Sequence, residues 1–397
     1  MNCNIIVGLL LNLIFGVFLF SCANIEDPGD ENKSIYSMNL HEIDVSPSLS
    51  FDDAFLWSKS IPLTFDDETV IGEISKVSKS GDYFYVLDNK THSLYEFDAI
   101  GKKTKKFGEV GHGPGEYVRI DDFLIDSVNR QMVVLSNEGR AGIYFYDLVT
   151  SNFIKKINVN IYPLNFCKHG DEFFIYTSKN PSDEGEFDVF RVDTLGSIID
   201  RFMSYKIDEP VILPYSGFLK KTGENIFYAP LYDEQVYMFE HAEEKFIPYM
   251  YITVNSDYIE RNKSNPMEIF KSKALLDEST SFLMSSYESN NSYSLLTFQR
   301  DRGLGLVVYK NDSQEMVQIT PESLKEDIRY RLINVFRPYC LSENNQVIFS
   351  IDAAQIQKEI EWFQRNKDNS DEISEFFENH GIKSKDQHYL VVTKLNL

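Results

Sequence analysis

The sequence predicts an all-β fold of repeated units, and three observations predict it. Short strand-like runs, each followed by a polar turn, recur along most of the chain. Aromatic residues make up 14% of the chain, with 30 Phe and 23 Tyr, which is typical of a well-packed sheet protein. An acidic residue closes one strand of each of four units, at steps of 49, 46 and 47 residues. This near-constant period predicts a six-bladed β-propeller with a helical insertion in the last blade.

The first four units each contain two apolar strands separated by a polar turn. The pairs occupy residues 83–88 and 93–98, 132–136 and 143–147, 172–176 and 188–193, and 225–228 and 235–240. The acidic residues that close the second strands are Asp98, Asp147, Asp193 and Glu240. A carboxylate just past an apolar strand can accept hydrogen bonds from nearby backbone N–H groups, so these residues are predicted to form turns rather than to act in catalysis.

The last two units are longer and less regular. The fifth is predicted from strands at 279–286, 293–300, 304–310 and 315–319, after a short helix at 266–276. The sixth starts with strands at 335–341 and 347–351 and ends with a strand at 389–397. Between them, at about 353–380, apolar residues recur at helical spacing, which predicts a helical insertion that packs on the sheet. These residues are Ile356, Ile360, Phe363, Ile373, Phe376 and Phe377.

A ring of blades needs closure, because open sheet edges invite pairing with other chains. Residues 60–65 are predicted to be the outer strand of the last blade, next to residues 389–397. Pro62 suits such an edge position, where one backbone N–H can be missing.

The N-terminus carries an export signal. An apolar run from Ile5 to Phe20 ends in Ser21 and Cys22, and a run this short fits a signal peptide better than a membrane span of ~20 residues. The pattern resembles a bacterial lipoprotein signal, with cleavage before Cys22 and a lipid on that cysteine. No Lys or Arg lies in residues 1–7, so an uncleaved anchor helix is the alternative.

The predicted organisation is therefore a lipoprotein signal peptide at 1–21, an acidic flexible tether at 22–43 and the propeller at 44–397. The acidic Pro/Gly stretch at 27–31 favours a solvated tether. The predicted location is the cell envelope, with the lipid in the outer membrane and the domain either periplasmic or surface-exposed.

Charge and cysteine usage exclude some classes of function. The formal net charge of −22 repels nucleic acid, so no nucleic-acid partner is expected. No CxxC or Cys/His spacing supports a structural zinc site. Cys167 and Cys340 fall in the inner strands of blades 3 and 6, on opposite sides of the ring, too far apart for the ~4.4–6.8 Å that a disulfide spans. They are predicted to be unpaired.

The first two blades resemble a known family. The segments 61–63, 71–74, 85–88 and 97–102, and above all Gly111-His112-Gly113-Pro114-Gly115-Glu116-Tyr117, resemble the six-bladed β-propeller lipoproteins of Bacteroides-type bacteria, which are distantly NHL-like. The resemblance covers roughly residues 44–397. It implies the fold and the envelope location, and it leaves the biochemical role open.

The glycine-rich segment at 111–117 is predicted to be an ordered connection between blades 1 and 2. Its spacing resembles a nucleotide-binding fingerprint by letter only, because a strand follows it and no Lys-Ser/Thr does. If the segment lies at the mouth of the central channel, it would supply polar groups to a ligand. The candidate ligand-binding residues are His112, Glu116, Arg119, Asp121 and Asp122.

Two functions are compatible with these patterns. The first is a membrane-tethered binding module for a peptide, a glycan or a protein partner. The alternative is a calcium-dependent hydrolase, similar to lactonase-like propellers, with its site in the channel. Calcium needs six to eight oxygen ligands, and the candidates are Glu73, Glu116, Asp121 and Asn334. No Ser-His-Asp or Cys-His arrangement stands out, and no catalytic residue is assigned.

Overall fold

The fold is a ring of six β-sheets. A computed structural model describes residues 36–39, 49–65, 71–206, 218–230, 235–253, 283–300, 303–319, 332–333, 337–366, 371–384 and 386–397. The first strands of the six sheets contact one another in cyclic order, from blade 1 through blade 6 and back to blade 1. This closed inner ring confirms the six-bladed β-propeller.

Blades 1 to 3 are four-stranded antiparallel sheets whose strands follow in chain order from the inner to the outer edge. Blade 1 consists of Ile74–Ser80, Tyr83–Asp88, Ser93–Phe97 and Lys103–Lys106. Blade 2 consists of Asp122–Asp126, Gln131–Asn137, Ala141–Asp147 and Phe153–Val159. Blade 3 consists of Asn165–His169, Glu172–Tyr176, Phe187–Val192 and Ile198–Ser204. A two-stranded parallel pair, Glu109–Val110 and Glu116–Tyr117, lies between blades 1 and 2.

Blades 4 to 6 keep the plan with additions. Blade 4 consists of Phe218–Thr222, Asn225–Ala229, Gln235–Glu240 and Lys245–Thr253, and blade 5 of Leu283–Ser289, Tyr293–Arg300, Gly303–Lys310 and Met316–Ile319. Blade 6 consists of Cys340–Leu341, Gln346–Ile351, Tyr389–Leu395 and the early strand Phe55–Pro62. The predicted closure is confirmed, because Ile61 pairs with Leu390 and Pro62 with Tyr389. The strand begins earlier than the predicted range of 60–65 and ends at Pro62.

The helical insertion in blade 6 is also confirmed. Helices Ala353–Asn366 and Asp371–Asn379 stand between its second and third strands. Ile356, Phe363 and Ile373 are buried, and Phe376 meets Trp57 of the outer strand at 5.7 Å between ring centroids. The apolar face of the insertion therefore packs on the sheet, as its spacing predicts.

The acidic residues of the repeat form turns, as predicted. Oδ1 of Asp98 accepts hydrogen bonds from the Ile100 and Lys102 N–H groups. Asp193 does the same for Leu195 and Ser197. The carboxylate thereby closes the turn between the third and fourth strands, which explains why an acidic residue recurs at the same place in successive blades.

The described parts of the N-terminal segment, residues 36–39 and 49–65, contact the outer edges of four blades. Tyr36–Asn39 adds a fifth, parallel strand to the outer edge of blade 4. Leu49 N–H then bonds Gln318 O on the outer strand of blade 5. After the short helix Phe51–Ala54, the chain forms the outer strand of blade 6 and reaches blade 1, where Thr64 N–H bonds Gly101 O. Four residues of the segment predicted as a tether are thus part of a sheet.

Several predicted features lie outside the described residues: the signal peptide with Cys22, the rest of the tether, and the helix at 266–276. Within the described part of the chain, no helix combines the length and apolar character that a membrane crossing requires.

Candidate functional site

Asp122 joins three inner strands beside the channel. The carboxyl Oδ1 meets Lys76 Nζ of blade 1 at 2.5 Å, and Oδ2 accepts a hydrogen bond from the Phe166 N–H of blade 3 at 3.1 Å. Asp122 is buried. These contacts give the carboxylate a structural role between blades and leave it little capacity for a ligand.

Asp121 and Arg119 form a second, separate pair. The Arg119 guanidinium bonds Asp121 Oδ1, and Asp121 Oδ2 accepts the Asn137 N–H at 2.7 Å. The Asp121 carboxylate therefore ties the entry of the inner strand of blade 2 to the end of the next strand. Arg119 is exposed and stays accessible.

The segment 111–117 packs against the third and outer strands of blade 2. Tyr146 of the third strand donates its hydroxyl to Gly115 O at 2.9 Å. Gly115 is in the left-handed region with φ +78, and a Cβ there would lie 2.6 Å from Phe153 of the outer strand. The chain enters this position because it arrives from the outer strand of blade 1.

Glu116 serves the loop itself. Its carboxylate accepts the Gly113 N–H at 2.7 Å, while the Tyr117 hydroxyl donates to Phe107 O at 2.9 Å. The predicted ordered connection between blades is what the structure contains. His112 is exposed beside it.

The calcium candidates are not brought together. Among the residues that the structure describes, no three His, Cys, Asp or Glu side chains are grouped so as to hold a metal ion. That set includes Glu73, Glu116 and Asp121, and the last two are bonded to different partners. Asn334 lies outside the described residues. The arrangement expected for the hydrolase is therefore not assembled from the three described candidates.

The two cysteines are free thiols on the inner strands of blades 3 and 6, as predicted. Burial raises the pKa of Cys167 to about 12 and that of Cys340 to about 11. Both side chains hence remain protonated at neutral pH. A protonated thiol is a poor nucleophile, so neither cysteine is suited to covalent catalysis.

A cleft of about 280 Å³ opens between blades 2 and 3. Its walls come from the connection between the second and third strands of blade 2, the connection between the blades, and the connection between the second and third strands of blade 3. The lining consists of Gly139, residues 160–162 and residues 181–183. We call this the blade 2–3 cleft.

The connection between the blades holds Tyr162 outward. Ile161 on one side is buried in the core shared by the two blades, and its carbonyl accepts the Ala141 N–H at 2.8 Å. Pro163 on the other side is buried and accepts a hydrogen bond from the Asn137 amide. With both neighbours anchored, Tyr162 is 42% exposed and lines the cleft.

The connection at residues 177–186, which supplies the opposite wall, contains strained backbone. Ser178 and Lys179 both have positive φ, 54° and 57°, a conformation that costs free energy for residues other than glycine. The buried Asp188 holds it in place by accepting the Lys179 N–H at 2.6 Å. Burial raises the pKa of Asp188, against the hydrogen bond from Tyr228.

Further bonds order the part of this wall that faces the cleft. Ser182 O accepts the Gly185 N–H at 3.1 Å, and the Arg201 guanidinium bonds the Glu184 carboxylate at 2.6 Å. The backbone that carries Ser182 and Asp183 is thus held by one bond within the connection and by one to the outer strand of blade 3.

Sequence reasoning missed this cleft. The available signal was the length of the blade 3 connection, which occupies residues 177–186, whereas the equivalent connections occupy 89–92 in blade 1 and 138–140 in blade 2. Long connections at the ends of a rigid scaffold frequently carry function.

The family is decided by a match over nearly the whole chain. Residues 36–394 match the model of a domain of unknown function, DUF4934. The chain belongs to the DUF4934 family. The match starts at the strand that pairs with blade 4, so the DUF4934 domain includes the N-terminal segment from residue 36 as well as the blades. No curated protein matches the chain in sequence.

Two solved structures are similar in fold to this DUF4934 domain. One is a protein from Bacteroides fragilis described as exported, with 15% identity, a TM-score of 0.71, and coverage of 90% of this chain and 99% of that one. The other is a DUF4221 member from Bacteroides vulgatus, with 7% identity, a TM-score of 0.52, and coverage of 86% and 98%. These likenesses show the propeller fold.

Proposed function

We propose that this protein is an exported binding module of the cell envelope, with its ligand docking in the blade 2–3 cleft. The observation that carries the proposal is the exposed Tyr162 ring, held between two buried neighbours and facing a wall of hydrogen-bonded backbone. Rigid elements that present an exposed aromatic residue beside polar groups bind ligands at a low cost in conformational entropy.

The envelope location rests on the sequence and on one relative. The run ending in Ser21-Cys22 supports export and a lipid on Cys22, and the similar Bacteroides fragilis protein is described as exported. A lipid anchor would keep the acidic domain at the outer membrane while the cleft stays accessible. The partner would be a peptide, a glycan or a protein.

Ligand screening against a matched pair of variants tests the binding function. Purified protein is mixed with arrays of peptides and glycans, and hits are measured by calorimetry. We expect Tyr162→Ala to weaken binding about tenfold. Tyr83→Ala is the control and should leave binding unchanged, because Tyr83 is equally exposed, at 43%, but lies on blade 1 and does not line the cleft. Hits that bind both variants as tightly as the wild type would place the ligand elsewhere and contradict the proposal.

A further inference from the structure

We propose that the blade 2–3 cleft binds a single uncharged sugar ring, stacked on Tyr162. This rests on the proposed function and adds the chemical class of the ligand. The cleft is lined by one exposed aromatic residue, Tyr162, and by three residues with polar side chains, Asn160, Ser182 and Asp183. A sugar ring has an apolar face of C–H groups and an equatorial rim of hydroxyls, which matches these two kinds of contact.

The size of the cleft favours one ring over an extended ligand. A volume of about 280 Å³ lies just below the range of ~300–1,000 Å³ typical of sites that enclose a drug-sized molecule. A polymer could therefore place one residue in the cleft while its neighbours stay in solvent.

The polar groups suit hydroxyls rather than backbone amides. An amide, a hydroxyl and a carboxylate together both donate and accept, as each sugar hydroxyl does. Extended peptides usually bind by adding a strand to an open sheet edge. In this cleft the Ile161 and Ser182 carbonyls are already bonded to Ala141 and Gly185, so the walls offer a peptide few backbone partners.

Charge argues against an anionic ligand. The residues that line the cleft include one carboxylate, Asp183, and no Lys or Arg. Two cations on the neighbouring strands are paired, since Arg201 bonds Glu184 at 2.6 Å and Lys156 bonds Glu138 at 2.8 Å. An anion entering the cleft would meet the Asp183 carboxylate without a compensating positive group in the lining, within a chain of net charge −22.

The test uses methyl glycosides of neutral hexoses, N-acetylhexosamines and hexuronic acids as probes, with defined tetrapeptides alongside. Binding to the full mature chain is measured by saturation-transfer NMR and by titration of chemical shifts. We expect at least one uncharged glycoside to bind and the hexuronates to bind more weakly. Tyr162→Ala should weaken binding about tenfold, and Tyr162→Phe, which keeps the ring, should restore it. Asp183→Ala should weaken the binding of neutral glycosides. Asp171→Ala, at an exposed turn of blade 3, should leave that binding unchanged.

The outcomes separate this inference from the proposed function. Peptides that bind and are lost in Tyr162→Ala would overturn the sugar assignment and support the binding module. Hexuronates that bind more tightly than neutral glycosides would also overturn the assignment. A glycoside whose binding is unchanged in Tyr162→Ala would overturn the assignment of the cleft itself, and no binding by any probe of either class would count against both.

Discussion

Lys76 and Asp122 connect the inner strands of blades 1 and 2 through a contact of 2.5 Å between Nζ and Oδ1. Lys76 Nζ also donates to Phe123 O at 2.8 Å, and the other carboxylate oxygen of Asp122 accepts the Phe166 N–H of blade 3. One carboxylate thus joins three successive blades at the inner ring.

The other half of the ring repeats this device. Lys220 of blade 4 pairs with Glu288 of blade 5, and Glu288 Oε2 accepts the Leu341 N–H of blade 6 at 3.2 Å. The innermost strand of each sheet has one edge without a strand partner, so side chains that bond its N–H groups stabilise the ring where the sheets themselves cannot.

Removal of the Asp122 carboxylate should weaken the ring. We expect Asp122→Ala to lower the free energy of unfolding by about 1–3 kcal/mol, because it leaves the Phe166 N–H without its acceptor and the Lys76 amine with the Phe123 carbonyl alone. Urea denaturation measures the loss. Asp171→Ala is the control, since its side chain is 89% exposed. Equal stability of the two variants would show that the three-blade junction contributes nothing.

The two glycines of the loop between blades 1 and 2 should differ in their response to valine. Gly115 has φ +78 and no room beside Phe153, whereas the nearest atoms to a Cβ at Gly113 belong to the Glu116 carboxylate, at 3.0 Å. Gly115→Val should therefore cost more than ~1–2 kcal/mol, and Gly113→Val should cost less because that side chain can move. Thermal melts compare them, and a larger loss for Gly113→Val would contradict the loop geometry.

The N-terminal strand should contribute to folding stability. Met38 is 2% exposed and packs in the core shared by blades 4 and 5. Met38→Ala is expected to destabilise the protein by about 2–4 kcal/mol, while Ser37→Ala on the exposed side of the same strand should be neutral. If both variants unfold at the same urea concentration as the wild type, the strand at residues 36–39 contributes nothing to folding stability.

Asp188 should give a pH dependence of a distinctive sign. Its folded pKa is raised by burial, so above its unfolded value of ~3.9 the unfolded chain loses a proton that the folded chain keeps. The stability that this group contributes is present below the unfolded pKa and is lost as the pH rises from the unfolded pKa to the raised folded pKa. Relative to Asp188→Asn, the wild type should therefore become less stable as the pH is raised from about 4.

Asp193 provides the matched control of opposite sign. Hydrogen bonds from the Ser197 and Leu195 N–H groups lower its pKa, so its contribution is present above the unfolded pKa and lost as the pH falls through the folded value. Urea midpoints of wild type, Asp188→Asn and Asp193→Asn between pH 3 and 7 test both. If the wild type instead gains stability relative to Asp188→Asn as the pH rises, the Asp188 carboxyl is charged in the folded protein.

Cys22 should carry the membrane anchor. The signal at 19–22 predicts that the mature chain is cut before Cys22 and lipidated there, so Cys22→Ser should leave a soluble or unprocessed form. Fractionation and intact-mass measurement distinguish these forms. A processed, lipid-bearing species that still sediments with membranes after the substitution would contradict the prediction.

The sequence by itself determined the blade number, the closure and the helical insertion. These features follow from local rules: acidic residues repeat where turns need acceptors, strands alternate, and helical spacing interrupts blade 6. Pro62 at a sheet edge and the unpaired cysteines follow from the same repeat. Each of these features depends on residues that are near neighbours in the chain or on the number of repeats, and the sequence contains both kinds of information.

Only the tertiary structure decided which polar residues meet. His112 and Glu116 are within ten residues of Asp122 in the sequence, yet the hydroxyl of Tyr146 holds their loop against the third strand of blade 2. The blade 2–3 cleft, conversely, joins Tyr162 to residues 181–183 on another connection. Such sites depend on how far each strand twists away from the channel before the chain turns, and that is set by packing between blades rather than by any local pattern.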